Sequence, residues 1–281
     1  MTVREALLSL KEKLRDIEDG DIEASYIIEN ICSMSRTQLL FSYNDEISQD
    51  YYEKALLMAE RRLNGEPIQY ILGSWDFMDF SFEVGEGVLI PRPETEILVE
   101  NILYRIKDIS EPVVYDLCSG SGCIGLSIKK IRNDAKVFLV EKSDDALYYL
   151  RRNLRNLCGS LDNTTAIQGD ILNADNFTDL PCADVIVSNP PYIRSAEIET
   201  LQNEVLREPH IALDGGEDGL IFYRVLVNEW SKKLNYNGFM AFECGEDQAQ
   251  DICNLFDKID FDNEIINDYN NFQRIVIGRR N

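Results

Sequence analysis

Two hydrophobic rhythms divide this chain. Over residues 1–64, apolar positions recur at helical spacing. Val3, Ala6, Leu7, Leu10 and Leu14 form one stripe, and Tyr52, Ala55, Leu56, Ala59 and Leu63 form another, the i, i+3, i+4, i+7 pattern of helices buried on one side. Gly65 is placed to end the second helix. Between the two, EASYIIENIC and SRTQLLF predict shorter helices. A ribbon of extended chain follows in WDFMDFSFEVGEGVLIPRPE, where Phe80, Phe82 and Val84 alternate and Gly-Glu-Gly makes a turn. Pro93 then suits the first turn of a helix running through Ile97, Leu98 and Ile102.

From residue 113 short apolar strands take over: VVYDLC, KVFLVEK, TTAIQGD, DVIVSN and GFMAFECG, mostly separated by amphipathic segments of helix length. That alternation predicts parallel strands joined by right-handed crossovers. FDNEIINDY and FQRIVIGRR, separated only by NN, read as a closing hairpin that reverses one strand. The expected fold is α/β, a Rossmann-like doubly wound sheet with one antiparallel strand, preceded by a small helical domain. The expected divisions are a helical domain over 1–75, a β-hairpin and helix linker over 76–110, and a sheet domain over 111–281.

Composition narrows the class. The 281 residues are 44% hydrophobic and 10% aromatic, which excludes a disordered chain. Fifty acidic against 28 basic residues leave a net charge of −22. The first 80 residues carry 16 acidic and 8 basic side chains, so no basic arm opens the chain. Such a surface repels a phosphate backbone, and no nucleic-acid substrate is expected. Seven scattered cysteines with no CxxC pair fit reduced thiols, neither a disulfide scaffold nor a zinc site. The opening MTVREALLSLKEKLRDIED is charged throughout and reads as an amphipathic helix, not a signal peptide. With no apolar run long enough to span a bilayer, a cytoplasmic protein is expected.

On doubly wound sheets, ligands bind beyond the carboxyl ends of the strands, so the loops there carry the chemistry. In DLCSGSGCIG, Gly120 and Gly122 let backbone approach a ligand while a helix starts behind them; a plain tight strand-to-helix connection would use the same glycines. Glu141 ends the next strand, where an acid accepts hydrogen bonds from ribose hydroxyls or serves as a solvated carboxylate beside the helix cap Ser143. Asp170 and Ile171 follow the third strand, suited to an adenine amino group and ring or to a simple turn. Together the three loops suggest an adenosine-containing cofactor and leave open which one.

The fourth loop is NPPY, residues 189–192. Each proline fixes φ near −65° and removes a donor, so the corner is stiff and rich in carbonyls. Asn189 offers a side-chain carbonyl and Pro190 a backbone carbonyl, together two acceptors for a planar –NH2 group, with Tyr192 against its π-face. A planar amide nitrogen is a poor nucleophile because its lone pair is delocalised. Drawing both hydrogens onto acceptors and aiming the nitrogen at an electrophilic methyl addresses that defect. Asn-Pro also opens ordinary turns, but here it follows the fourth strand of a nucleoside-binding sheet.

DLCSGSG, Glu141, QGD and NPPY in this order resemble a class I S-adenosylmethionine-dependent methyltransferase acting on a planar amino nitrogen. GEPIQYILG (65–73), VLIPRPETE (88–96) and REPHIALDGGEDGL (207–220) are similar to segments of the PrmC/HemK family, the peptide-chain release factor glutamine methyltransferases. The resemblance covers essentially the whole chain. NPPY is shared with adenine methyltransferases, whereas the other stretches are more specific. The resemblance implies methyl transfer from S-adenosyl-L-methionine, leaving S-adenosyl-L-homocysteine, to the glutamine amide of the Gly-Gly-Gln motif in class-1 release factors. It makes Asn189, Pro190 and Tyr192 catalytic, with Pro191 beside them in the acceptor site. Asp116, Cys118, Ser119, Gly120, Ser121 and Gly122 would hold the cofactor together with Glu141, Asp170, Ile171 and Asn189, and no metal. The family's loop usually has glycine where this chain has Cys118; a Cβ there is expected to keep φ negative and to spare cofactor binding. The helical domain is expected to recognise the protein partner, and the chain to act as a monomer.

Three other readings remain open at this level: a ribosomal-protein glutamine methyltransferase, a nucleic-acid adenine or guanine methyltransferase, and a non-catalytic binding module on the same fold. Displacement at a sulfonium methyl needs no acid for the leaving group, which suits a chain whose one histidine, His210, lies outside all four loops. Arg92, Glu94 and Glu96 are left outside the active site, because first-turn carboxylates also stabilise a helix N-terminus.

Overall fold

The computed structural model describes residues 1–159 and 163–280 and divides the chain into two compact units. The first comprises Met1–Ser74 with Asn203–Arg207. Its helices are α1 (Val3–Lys13), α2 (Gly20–Cys32), α3 (Arg36–Phe41), α4 (Gln49–Leu63) and α5 (Ile68–Leu72). Thr2 with Glu5 and Ser35 with Gln38 close reciprocal capping boxes on α1 and α3, and Ser48 caps α4, so each start satisfies donors that have no partner within the helix. The stripe Val3, Ala6, Leu7, Leu10 and Leu14 is buried, as its spacing predicts.

Two helical expectations need correcting. The second helix is not short: it begins at Gly20 and has 13 residues against 11 in α1, because its first turn carries no apolar periodicity to reveal it. The buried face of α4 runs through Ala55, Met58, Ala59 and Arg62, while Leu63 is 44% exposed. Arg62 takes the inward position of the last turn, where its Nε donates to Glu23 Oε2 at 2.7 Å and its fork also reaches Glu204. A pattern read from apolar residues alone cannot count an arginine as core.

The second unit spans Trp75–Gln202 and the chain from Glu208 onward. Strands β1 (Ser74–Phe77) and β2 (Phe80–Glu83) form a two-stranded sheet. The chain does turn at Glu86–Gly87, but the ribbon has already reversed at Met78 and Asp79, both with positive φ (51° and 61°). That is the backbone of a two-residue hairpin made without glycine or asparagine, so its usual sequence signal is missing. Glu96 accepts the Met78 N–H at 2.7 Å and holds the turn. Glu96 lies in the first turn of α6 (Pro93–Arg105), which has Pro93 at its first position.

The main sheet contains β3 (Val113–Leu117), β4 (Lys136–Glu141), β5 (Thr164–Gln168), β6 (Ala183–Ser188), β7 (Leu234–Glu243), β8 (Asp262–Asn267) and β9 (Gln273–Arg279). Their order is β5-β4-β3-β6-β7-β9-β8, and β9 alone runs against the rest. Helices α7 (Cys123–Ile131), α8 (Asp144–Asn153), α9 (Ile221–Asn228) and α10 (Ala249–Asp257) complete the unit. Alternate residues face opposite sides, as pleating requires. Val114, Val137 and Val185 pack with Leu98 of α6, Leu126 of α7 and Leu147 of α8. Tyr115, Phe138 and Ile186 pack with Leu226 of α9 and Phe256 of α10. Connections leave β3 toward β4 on one side and β6 lies on the other, so the carboxyl ends of β3 and β6 flank a topological switch point. Among the described residues no helix is long and apolar enough to cross a membrane.

The Arg62–Glu23 pair yields a stability prediction. Burial pushes the Glu23 carboxyl up and the Arg62 guanidinium pulls it back. Arg62→Ala therefore leaves a buried carboxyl unpaired and should cost about 3–5 kcal/mol in urea denaturation. Replacing both Arg62 and Glu23 with Met should cost clearly less than Arg62→Ala alone.

Candidate active site

A cleft opens at the carboxyl ends of β3, β4, β5 and β6. The turn after β3 supplies Cys118, Ser119, Gly120 and Ser121; β4 ends in Glu141; Asp170 and Ile171 follow β5; Asn189 and Pro191 follow β6. Four other candidates stand behind this wall and do not line it: Asp116, Gly122, Pro190 and Tyr192.

The glycine loop shows why its residues differ in role. Gly120 has φ +55°, and a Cβ built there would meet no described atom within 4 Å, so its hydrogen faces open cleft. Gly122 has φ +83°, and a Cβ there would come within 2.4 Å of Leu150 Cδ1. The first glycine leaves the cleft open; the second lets the start of α7 pack on α8. Asp116 lies under the loop, fully buried, with Oδ2 accepting the Gly125 N–H at 2.8 Å and Oδ1 without a partner among the described residues. Burial pushes its carboxyl up to about 7, and Glu141 adds to the rise while the Gly125 N–H opposes it.

Cys118 departs from expectation. Its φ is +62°, left-handed, not negative. The chain must leave β3 in a sharp reversal that places the Ser119 N–H on Val140 O at 3.1 Å and Ser119 Oγ on Asp116 O at 2.7 Å. Those bonds fix the backbone whichever residue occupies 118, so the side chain accepts a conformation costing roughly 1–2 kcal/mol. Burial also pushes the Cys118 thiol well up.

Glu141 gathers the loops: Oε2 accepts the Gly120 N–H at 2.8 Å and Oε1 the Ser143 N–H at 2.7 Å. Burial raises its carboxyl despite these donors. Asp170 accepts the Leu172 N–H at 3.0 Å and pairs with Lys142 at 2.9 Å. Ile171 is buried, and its carbonyl receives the Trp230 indole N–H at 2.9 Å.

At the corner after β6, Asn189 Nδ2 donates to Thr95 Oγ1 at 3.3 Å, and Thr95 Oγ1 donates to Glu243 Oε2 at 2.6 Å. Asn189 Oδ1 is buried and has no partner among the described residues. Tyr192 is half-buried against the α9 and α10 side of the sheet, and its carbonyl accepts Gln248 Nε2 at 2.8 Å. His210 is mostly exposed, with Nδ1 3.9 Å from Asp214.

Sequence reading missed Thr95, Glu243, Arg92 and Glu208 as parts of this site. Arg92 ion-pairs with the buried Glu208, whose other oxygen accepts the Ile90 N–H at 3.0 Å. Arg92 and Thr95 sit in VLIPRPETE and Glu208 in REPHIALDGGEDGL, whereas Glu243 ends β7. The available signal was complementary charge between the two stretches, an arginine in one and a glutamate in the other.

The chain matches known proteins over both units. A family profile described as the PrmC N-terminal domain matches residues 5–73, and one described as the methyltransferase small domain matches residues 93–229. A release factor glutamine methyltransferase of Thermodesulfovibrio yellowstonii is 37% identical over 276 residues, 97% of each chain. One of Clostridium acetobutylicum is 35% identical over 294 aligned positions, covering 100% of this chain and 99% of its own. Among solved structures, the T. thermophilus 16S rRNA N2 G1207 methyltransferase bound to AdoMet and guanosine shares the fold, with TM-score 0.51 and 17% identity over 74% of this chain and 50% of that one. The expected methyltransferase fold, with its one reversed strand and helical N-terminal region, is borne out.

Two stability measurements check the loop. Cys118→Gly relieves roughly 1–2 kcal/mol of left-handed strain and adds about 0.5–1 kcal/mol of unfolded-chain freedom, so it should stabilise the fold by up to about 1.5 kcal/mol in urea, whereas Cys118→Val should destabilise it. Asp116, with its native carboxyl raised to about 7 from an ordinary 3.8, holds its proton more tightly folded than unfolded. Its contribution to stability is therefore complete below the lower value and lost as pH rises through the higher one. The stability of Asp116→Asn relative to the parent should climb across that window; a difference independent of pH would contradict it.

Proposed function

This chain belongs to the release factor glutamine methyltransferase family, and on that premise we propose that it methylates the side-chain amide nitrogen of the Gly-Gly-Gln glutamine of class-1 peptide chain release factors, using S-adenosyl-L-methionine. The observation that carries this reading is Asn189 Oδ1: a buried carbonyl oxygen without a hydrogen-bond partner among the described residues, on a residue of the cleft wall. Buried acceptors are rarely left unpaired, and a planar –NH2 group is the donor this one suits.

The residues present fit the cofactor. Open space over Gly120 on this wall leaves room for a ligand. Glu141 would accept from the ribose hydroxyls, and Asp170 with Ile171 would hold the adenine amino group and ring. Cys118, Ser119, Gly120 and Ser121 would border the remainder, with Asp116 and Gly122 supporting the loop from behind. When bound, S-adenosyl-L-methionine supplies an electrophilic methyl on a cationic sulfur. The chain's own part is then positioning. Asn189 Oδ1 accepts an amide hydrogen, Pro191 closes the wall, and Pro190 and Tyr192 stiffen the corner behind it. The helical unit would recognise the release factor, and the acidic chain would meet it through a locally basic surface. We read the protein as a cytoplasmic monomer.

The test is tritiated S-adenosyl-L-methionine offered with a release factor, its Gln→Glu variant, a ribosomal protein and DNA side by side. Label should reach the intact release factor alone. Asn189→Ala should slow transfer roughly 100-fold with cofactor affinity nearly unchanged, because the lost contact serves the acceptor. Glu141→Ala should instead weaken cofactor binding by about 1.5–3 kcal/mol in calorimetry. Labelling of the Glu variant at the parent rate would overturn the assignment.

A further inference from the structure

The amide of Asn189 has two ends, and only one of them suits an –NH2 acceptor. With Oδ1 toward the substrate it accepts a hydrogen; turned over, Nδ2 would present donors to a donor and repel the substrate nitrogen. Something must choose between these orientations, and the contacts behind Asn189 do so. Thr95 Oγ1 lies 2.6 Å from Glu243 Oε2 and 3.3 Å from Asn189 Nδ2. A hydroxyl has a single hydrogen. An ionised carboxylate only accepts, so that hydrogen goes to Glu243, and Thr95 can offer Asn189 nothing but lone pairs. Nδ2 must therefore face Thr95, which leaves Oδ1 free.

We propose that Glu243 and Thr95 are positioning residues that set the orientation of the Asn189 amide, and that the charge on Glu243 decides whether the site accepts an amide nitrogen. This rests on the proposed function and specifies how the same site is regulated. Protonated Glu243 would donate to Thr95, Thr95 would then donate to Asn189, and the amide would turn its Nδ2 outward. Both Thr95 and Glu243 are buried, so water does not compete for these bonds. The groups facing Glu243 are Arg92 and Glu94 at the start of α6, Cys123 of α7, Tyr192 after β6, Arg274 of β9 and the adjoining Cys244. The Tyr223 hydroxyl, from α9, donates to the Glu243 backbone carbonyl at 2.6 Å. Burial pushes the Glu243 carboxyl up to about 7, with Thr95 and Arg274 holding it down. The switch thus operates near neutral pH: the raised carboxyl keeps its proton below that value and loses it above, so transfer should gain as pH rises.

The experiment uses the full chain with S-adenosyl-L-methionine and release factor. Parent kcat should rise between about pH 6 and about pH 8, and Glu243→Gln, which cannot ionise, should give a flatter profile. Thr95→Val, isosteric but without the hydroxyl, should lose roughly 10- to 100-fold in kcat while cofactor Kd stays within about twofold. Thr95→Ser restores the hydroxyl and should remain within about threefold of the parent. A Glu243→Gln profile identical to the parent's, or Thr95→Val and Thr95→Ser with equal kcat, would overturn the relay while leaving the proposed function standing. A parent chain that labels no release factor would overturn both.

Discussion

Parallel strands spend their backbone hydrogen bonds on one another, so a doubly wound sheet can present groups to a ligand only from the loops beyond its strand ends. Here the order reverses between β3 and β6. The loops after β3 and β4 turn one way and the corner after β6 the other, and the cleft lies where they part. The site depends on that divergence. Valines on one pleat face and aromatic residues on the other lock β3 between β4 and β6, which fixes where Cys118 and Asn189 begin.

Around this frame the site is held by buried acids that accept from backbone. Asp116 takes the Gly125 N–H, Glu141 those of Gly120 and Ser143, and Glu208 that of Ile90. Each carboxylate ties one loop to another element, so the wall is stiff before a ligand arrives, which limits the ordering cost of binding. Crowding acids in a desolvated place has a consequence. Asp116 and Glu243 are both pushed up to about 7 by burial, and Glu141 is raised as well. A cation bound in this cleft would favour their charged forms and release protons.

The helical unit follows a different logic. Its core is aliphatic, yet the last turn of α4 commits a buried guanidinium to Glu23 and Glu204. Glu204 belongs to the short segment Asn203–Arg207, which returns to this unit from far along the chain. A directional charge pair suits such a segment, which contributes no residue to the unit's buried apolar core.

The sequence by itself determined whatever short-range physics controls: the stripe of α1, Pro93 opening α6, the sheet strands with their closing hairpin, and the charge. It also supplied Gly120, Glu141, Asp170, Ile171 and Asn189 as candidates, because residue type at a strand end limits the chemistry available there. The tertiary structure decided the rest. The left-handed φ of Cys118 comes from the reversal that β3 and β4 impose, and the hairpin at Met78–Asp79 is held by Glu96 without a glycine or asparagine of its own. Arg62 is core only because Glu23 and Glu204 are there to receive it. Thr95 and Asn189 lie 94 positions apart, as Arg92 and Glu208 lie 116 apart. Local patterning carries no information about which distant donors and acceptors will meet, since those pairings exist only after both cores have closed.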